Sequence, residues 1–229
     1  MSRQFGKHFA LVMVLGVVAV LADTAWAQRG GGGGRGIGRL FGGVPKAQLA
    51  SLEQVQTELK MTDEQKSKTA GINDELRNKR RDLFGSGFGR FSEIRGDMEK
   101  LNREASEKVD GVLDDAQKKR LQEIVVQVNG PQALGEPAVV AQLKLNDEQK
   151  TSLEEALAEN AKAAEEALAE FGQASQEDRR EKSRALREKA AERLLSVLSD
   201  QQKTEFDQMK GTPIEIDMSS LYQRNRGSN

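Results

Sequence analysis

Met61-Thr62-Asp63-Glu64-Gln65-Lys66 is a six-residue word that returns three times with small changes. The copies are Leu113-Asp114-Asp115-Ala116-Gln117-Lys118, Leu145-Asn146-Asp147-Glu148-Gln149-Lys150 and Leu198-Ser199-Asp200-Gln201-Gln202-Lys203. Each has an apolar residue first, then Thr, Asp, Asn or Ser, then Asp, any residue, Gln and Lys. The second position samples the four side chains that best cap a helix N-terminus. The Gln three residues on is the reciprocal half of a capping box. Asp at the first helical position faces the positive end of the helix dipole. Each word therefore predicts a helix start, with Met61, Thr62, Gln65, Leu113, Asp114, Gln117, Leu145, Asn146, Gln149, Leu198, Ser199 and Gln202 as its structural residues. Capping is the expected task of the four glutamines, and contact with a partner is the alternative.

The words start 52, 32 and 53 residues apart, so the first and third differ by 84 and the second and fourth by 85. The flank Gln56-Thr57-Glu58-Leu59-Lys60-Met61 aligns with Val140-Ala141-Gln142-Leu143-Lys144-Leu145. A repeat of that length predicts two tandem units, 47–133 and 134–210. Each reads as a short helix, two long helices and a shorter closing helix, with a word at the second and fourth starts.

Apolar residues between the words recur at gaps of three and four, as on one helix face. Phe91, Ile94, Met98, Leu101, Ala105 and Val109 form the strongest stripe. Thr69, Ile72, Leu76 and Leu83 follow the first word. Leu153, Leu157, Ala161, Ala164, Leu168 and Phe171 follow the third, and Leu186, Ala190, Leu194 and Val197 precede the fourth. Glu, Lys and Arg alternate on the faces between. Gly85, Gly87 and Gly89, Gly130-Pro131, Gly172, and Gly211 with Pro213 predict helix ends; Ser175 with Asp178 predicts a further start. Two long helices joined by a short glycine-bearing turn form an antiparallel hairpin. The expected fold is therefore all-α: two duplicated helical-hairpin units packed about a pseudo-two-fold axis.

The first 27 residues read as a secretory signal peptide. Arg3 and Lys7 precede the apolar run Phe9 to Leu21, and Ala25-Trp26-Ala27 is a small-x-small cleavage site. The run has 13 residues, short of the roughly 20 that span a bilayer. An exported, periplasmic chain with no lasting membrane insertion is expected. Residues 28–46, with Gly30 to Gly34, read as a flexible glycine-rich tether. Residues 211–229 read as a frayed or surface-docked tail, and Ile214-Glu215-Ile216-Asp217-Met218 alternates like a short extended segment.

Composition removes much chemistry. The chain has no Cys, and its one His (His8) and one Trp (Trp26) both precede the cleavage site. Thiol and imidazole catalysis, thiolate metal sites and disulfides are thereby excluded from the mature chain. Removing Arg3, Lys7 and Asp23 leaves 33 basic and 35 acidic residues, interspersed, which is no footprint for nucleic acid. The abundant carboxylates lie at helix-surface spacing and read as solvated faces. No catalytic residue, cofactor or metal ligand is expected, and the chain reads as a binding protein rather than an enzyme.

The words resemble the Leu-Thr-x-x-Gln motif of the Spy/CpxP family of periplasmic stress proteins, which carries two copies per chain. The resemblance maps onto Met61, Thr62 and Gln65; Leu113, Asp114 and Gln117; Leu145, Asn146 and Gln149; and Leu198, Ser199 and Gln202. Only the first copy keeps Thr, and it has Met for Leu. The resemblance implies a cradle-like helical bundle, built in the family as an intertwined homodimer. It implies an ATP-independent chaperone, or an inhibitor of envelope stress signalling. Four words in one chain then look like two protomers fused, a monomeric pseudo-dimer, with a homodimer as the alternative. The expected partners are proteins: partly unfolded clients, or one envelope signalling protein engaged by a non-catalytic adaptor.

Overall fold

The computed structural model describes residues 43–85, 91–171 and 174–218, with side chains over 43–83, 96–171 and 174–218. The expected signal peptide (1–27), residues 28–42 of the expected tether and residues 219–229 of the tail lie outside the described residues. Every described residue in regular structure is helical. The helices are α1 (Lys46–Ala50), α2 (Glu53–Glu58), α3 (Asp63–Gly85), α4 (Phe91–Asp110), α5 (Asp115–Asn129), a 3-10 helix (Gly130–Gly135), α6 (Pro137–Gln142), α7 (Asp147–Phe171), α8 (Gln176–Ser196) and α9 (Asp200–Gln208). The protein is an all-α helical bundle. No helix among the described residues is long and apolar enough to cross a membrane.

The four words open α3, α5, α7 and α9. The long helices α3, α4, α7 and α8 run 23, 20, 25 and 21 residues, hence roughly 30–38 Å at 1.5 Å per residue. α3 packs on α4, and α7 on α8. Both pairs are antiparallel, because Glu75 meets Lys108 while Lys79 meets Glu104, and Asn160 meets Arg193 while Glu170 meets Lys182. Every stripe residue with a described side chain is buried or half-buried. A fixed apolar face is thus spent within each hairpin.

α5 and the 3-10 helix hold the centre. Leu121, Ile124, Val125 and Val126 of α5 and Ala133 and Leu134 of the 3-10 helix are fully buried, with Leu49, Val55, Val109, Val139 and Leu194 around them. α1 lies against α3, α4 and α5, while the 3-10 helix lies against α5, α6, α7 and α8. Gly130-Pro131 ends α5, and Pro131 fits the first turn of the 3-10 helix, where its missing N–H costs nothing. Ala133 and Leu134, on either side of the expected unit boundary, are fully buried. One expectation is corrected here: the tether expected over 28–46 stops short of its stated end. Val44 is 6 % exposed, its N–H donates to Asn129 Oδ1 (2.7 Å), and Asn129 Nδ2 donates back to its carbonyl (3.0 Å). Gly43 permits this approach at φ +72, where a Cβ would lie 2.7 Å from the Asn129 side chain. α1 itself had no cap or period to announce it.

α2 and α6 end alike. Lys60 (φ 50) and Lys144 (φ 51) are left-handed, and the next N–H reaches back: Met61 N–H to Gln56 O (3.0 Å), Leu145 N–H to Val140 O (3.4 Å). This is a Schellman ending with Lys where Gly is preferred. An L side chain there costs about 1–2 kcal/mol, partly offset by the greater unfolded-state freedom of Gly. Lys60→Gly and Lys144→Gly are each expected to raise stability by about 0.5–1 kcal/mol in urea titration. A loss of stability would show that the exposed lysines make a compensating contact.

Candidate functional site

The four capping glutamines, read from sequence as separate local devices, form two pairs. Each first closes its own box. The N–H of Gln65, Gln117, Gln149 and Gln202 donates to the side chain of Thr62 (3.2 Å), Asp114 (2.8 Å), Asn146 (2.8 Å) and Ser199 (3.3 Å). The N–H of each cap residue donates back to the glutamine Oε1 at 3.0–3.2 Å. The glutamine amides then meet. Gln65 Nε2 donates to Gln117 Oε1 (2.8 Å) and Gln117 Nε2 to Gln65 Oε1 (3.0 Å). Gln149 Nε2 donates to Gln202 Oε1 (2.6 Å) and Gln202 Nε2 to Gln149 Oε1 (3.2 Å). The remaining amide protons reach backbone carbonyls: Gln65 to Val112 (3.0 Å), Gln117 to Leu59 (3.0 Å), Gln149 to Val197 (2.9 Å) and Gln202 to Leu143 (3.2 Å).

Each amide thus uses two donors and two acceptor positions, which satisfies a partly buried primary amide completely. Each clasp ties two helix starts to the chain just before them. The same bonds recur 84 or 85 residues on, at corresponding residues. The apolar first letters Met61, Leu113, Leu145 and Leu198 are 4–5 % exposed and sit in the core cluster. The caps Thr62, Asp114, Asn146 and Ser199 stay at the surface. The last letter also has a local role: Lys66, Lys118, Lys150 and Lys203 pair with the Asp three residues before, at 3.6, 3.1, 2.9 and 3.2 Å. Those aspartates are fully exposed, so the pairs contribute little. At the expected fifth start, Asp178 N–H donates to Ser175 Oγ (3.1 Å), and the hydroxyl donates to the Asp178 carboxylate (2.6 Å). That bond holds the Asp178 carboxyl below its ordinary range.

Three further groups carried no sequence signal. Lys46 on α1 is 5 % exposed, and its ammonium lies 2.6 and 2.7 Å from the two oxygens of Asp110 at the end of α4. Glu136, before α6, feels both. Burial pushes its carboxyl above the ordinary glutamate range; Lys46 opposes that shift and Asp110 adds to it. The folded chain therefore favours protonated Glu136. That stability is full below the ordinary value near 4.5 and is lost as pH rises through the raised folded value. Glu136→Gln is expected to raise the melting temperature at pH 7 and to leave it unchanged near pH 4. An equal gain at both values would place the cause elsewhere.

The second group is a buried polar link in the second hairpin. Asn160 Nδ2 donates to Ala190 O (3.1 Å) and Arg193 Nη1 donates to Asn160 Oδ1 (2.9 Å). The first hairpin carries an exposed ion network at the same level, where Lys108 (2.6 Å) and Lys79 (3.0 Å) hold the Glu75 carboxyl down to about 2. Each hairpin has a shallow cleft beside these groups. One is floored by Ile72, Leu76, Leu101 and Ala105, the other by Ala163, Ala164, Leu186 and Ala190. Both are open to solvent, and the space each encloses, about 10 Å³, is far below the roughly 300 Å³ at which small-molecule pockets begin.

The third group lies on α5, where Gln127 and Asn129 clamp the two ends of the described chain by their main-chain atoms. Among the described residues no three His, Cys, Asp or Glu side chains cluster to hold a metal. No family model, no curated protein and no solved structure matches this chain.

Proposed function

We propose that the chain is an exported, ATP-independent, chaperone-like or envelope-stress protein that holds partly unfolded proteins on its helical surface. The observation that carries this reading is the pair of clefts at corresponding levels of the two hairpins. Each has an apolar floor and a charged rim, Glu75, Lys79, Glu104 and Lys108 in the first and Arg187 and Arg193 in the second. A dent that shallow encloses neither a small molecule nor a side chain, and offers a long, flexible partner an apolar surface to lie against. The rest of the surface supports the same reading. Among the described side chains no Leu, Ile, Val, Met or Phe is exposed, so encounter would be through charge, with apolar contact confined to the clefts.

The resemblance of the words to the Spy/CpxP motif supports it too, and so do two hairpins with the same clasp in one chain. In this reading two tandem units of one plan act as a single-chain, cradle-like pair. Mature protein added to a chemically unfolded client is expected to suppress light scattering at near-stoichiometric ratio without nucleotide. No suppression across several clients, with firm capture of one envelope protein, would replace this reading by that of a non-catalytic adaptor.

A further inference from the structure

The last described segment departs from the plan of the first half. α9 ends at Gln208, whereas α5 runs on to Asn129. Gly211 turns the chain at φ +59, where a Cβ would collide with the Glu123 carboxylate. Residues 212–217 then run without regular structure along α5. Gln127 Oε1 accepts the Ile214 N–H (3.1 Å), and Gln127 Nε2 donates to Thr212 O (2.7 Å) and to Lys210 O. Arg120 Nη2 also donates to Thr212 O (2.8 Å), and that guanidinium is oriented by Glu58 (2.8 Å) and Glu123 (2.6 Å). Ile216 and Met218 are 6 % and 4 % exposed within the core cluster and Ile214 is half-buried, while Glu215 and Asp217 face out.

The bonds that Gln127 and Arg120 make to residues 210–214 all go to main-chain atoms. Polar groups that read backbone impose no side-chain choice at 212 and 214, while Glu123 restricts position 211 to glycine. The alternate apolar side chains then set register, which is how extended peptides are recognised on other scaffolds. We infer that the surface of α5 beneath residues 211–218 is a docking site for an extended segment with apolar residues at alternating positions, and that the chain's own tail fills it as a displaceable strap.

That the natural occupant is a partly unfolded client rests on the proposed function; that the groove takes a free extended peptide does not. The strap is tethered to the groove, so its effective concentration is high and a free peptide competes at a disadvantage set by the fraction of open groove. Release of the strap should remove that disadvantage.

The test uses a fluorescein-labelled peptide of residues 211–218, Gly-Thr-Pro-Ile-Glu-Ile-Asp-Met, titrated with the full chain and followed by anisotropy. Ile216→Asp in the protein is expected to free the tail and tighten peptide binding at least tenfold over wild type. Gln127→Ala added to it is expected to undo at least fivefold of that gain. Limited proteolysis reads tail release directly and should show faster cleavage near residue 215 in Ile216→Asp. Gln127→Ala alone should also speed that cleavage, and it keeps the test decisive where Ile216→Asp does not fold. Equal peptide binding by wild type and a chain with a freed tail overturns the inference, and so does a tail whose cleavage neither substitution speeds. Light scattering separates the two claims. A released chain that binds peptide yet fails to suppress client aggregation ends the client reading and leaves the groove. A wild-type chain that suppresses aggregation, with no gain in peptide binding on release, does the reverse.

Discussion

Gln117→Glu is expected to lower stability at pH 7 by about 3–5 kcal/mol, among the largest effects of any single change in this chain. Gln117 is 9 % exposed and donates to both Leu59 O and Gln65 Oε1. Glutamate keeps the acceptor that closes the capping box with Asp114, so the helix start survives. It loses both donors, leaves Leu59 O without this partner, and sets a carboxylate against that oxygen and against Gln65 Oε1, which keeps only the Thr62 N–H. The orphaned buried carbonyl costs about 1–3 kcal/mol, and the buried charge adds to that. The new carboxyl would have its folded pKa raised. Its protonated form returns one donor, so part of the loss should be recovered below the ordinary carboxylate range and should reappear as pH rises. Urea titrations at pH 7 and pH 4 check both points. A loss under about 1 kcal/mol at pH 7 would mean that water replaces the clasp at no cost.

Lys46→Ala is expected to cost about 2–4 kcal/mol at pH 7. Its ammonium pairs with Asp110, also favours the charged form of the Glu136 carboxyl, and is almost wholly removed from water. Without it the Asp110 and Glu136 carboxylates keep their mutual repulsion with no cation to offset it. The figure stays below that for a fully buried pair because the Asp110 side chain is 37 % exposed, which lets water screen it. Two results identify charge rather than lost packing as the cause. The deficit should shrink as pH falls, since protonation of Glu136, whose carboxyl lies above the ordinary range, removes one of the two repelling charges. The double variant Lys46→Met/Asp110→Asn should regain at least half of the loss, because removing both partners of a buried pair is far cheaper than removing one. A deficit independent of pH and not relieved in the double variant would sink the electrostatic account.

The helical part of this architecture was legible because its signals are local. A cap residue and the Gln three positions later lie within one turn, and an apolar stripe at gaps of three and four is a property of one helix. For that reason α3, α5, α7 and α9 open at the words, and the stripe residues with described side chains are buried or half-buried. The short helices were harder to see. α1 has five residues, no side-chain cap and Lys46 on its buried side, so neither period nor cap marks it. The end of the tether is hidden from the sequence for a related reason. Nothing in Gly43-Val44 shows that an amide 85 residues away will take both its N–H and its carbonyl.

The tail shows the boundary between the two kinds of information in a single stretch. Its alternation of Ile, Glu, Ile, Asp and Met was visible and suggested an extended segment. That it runs along α5, read by Gln127 and Arg120 from 87 and 92 residues away, was not. The glutamine words make the same division. From the order of residues alone came where helices begin, which faces are apolar, that the pattern recurs at 84 or 85 residues, and that the chain has no thiol. Only the folded chain decided that Gln65 clasps Gln117 and Gln149 clasps Gln202, that Lys46 meets Asp110, and that both ends of the described chain dock on α5. The first set depends on torsions and hydrogen bonds within a few residues. The second depends on which desolvated donors and acceptors come to lie within 3 Å once the apolar stripes have packed.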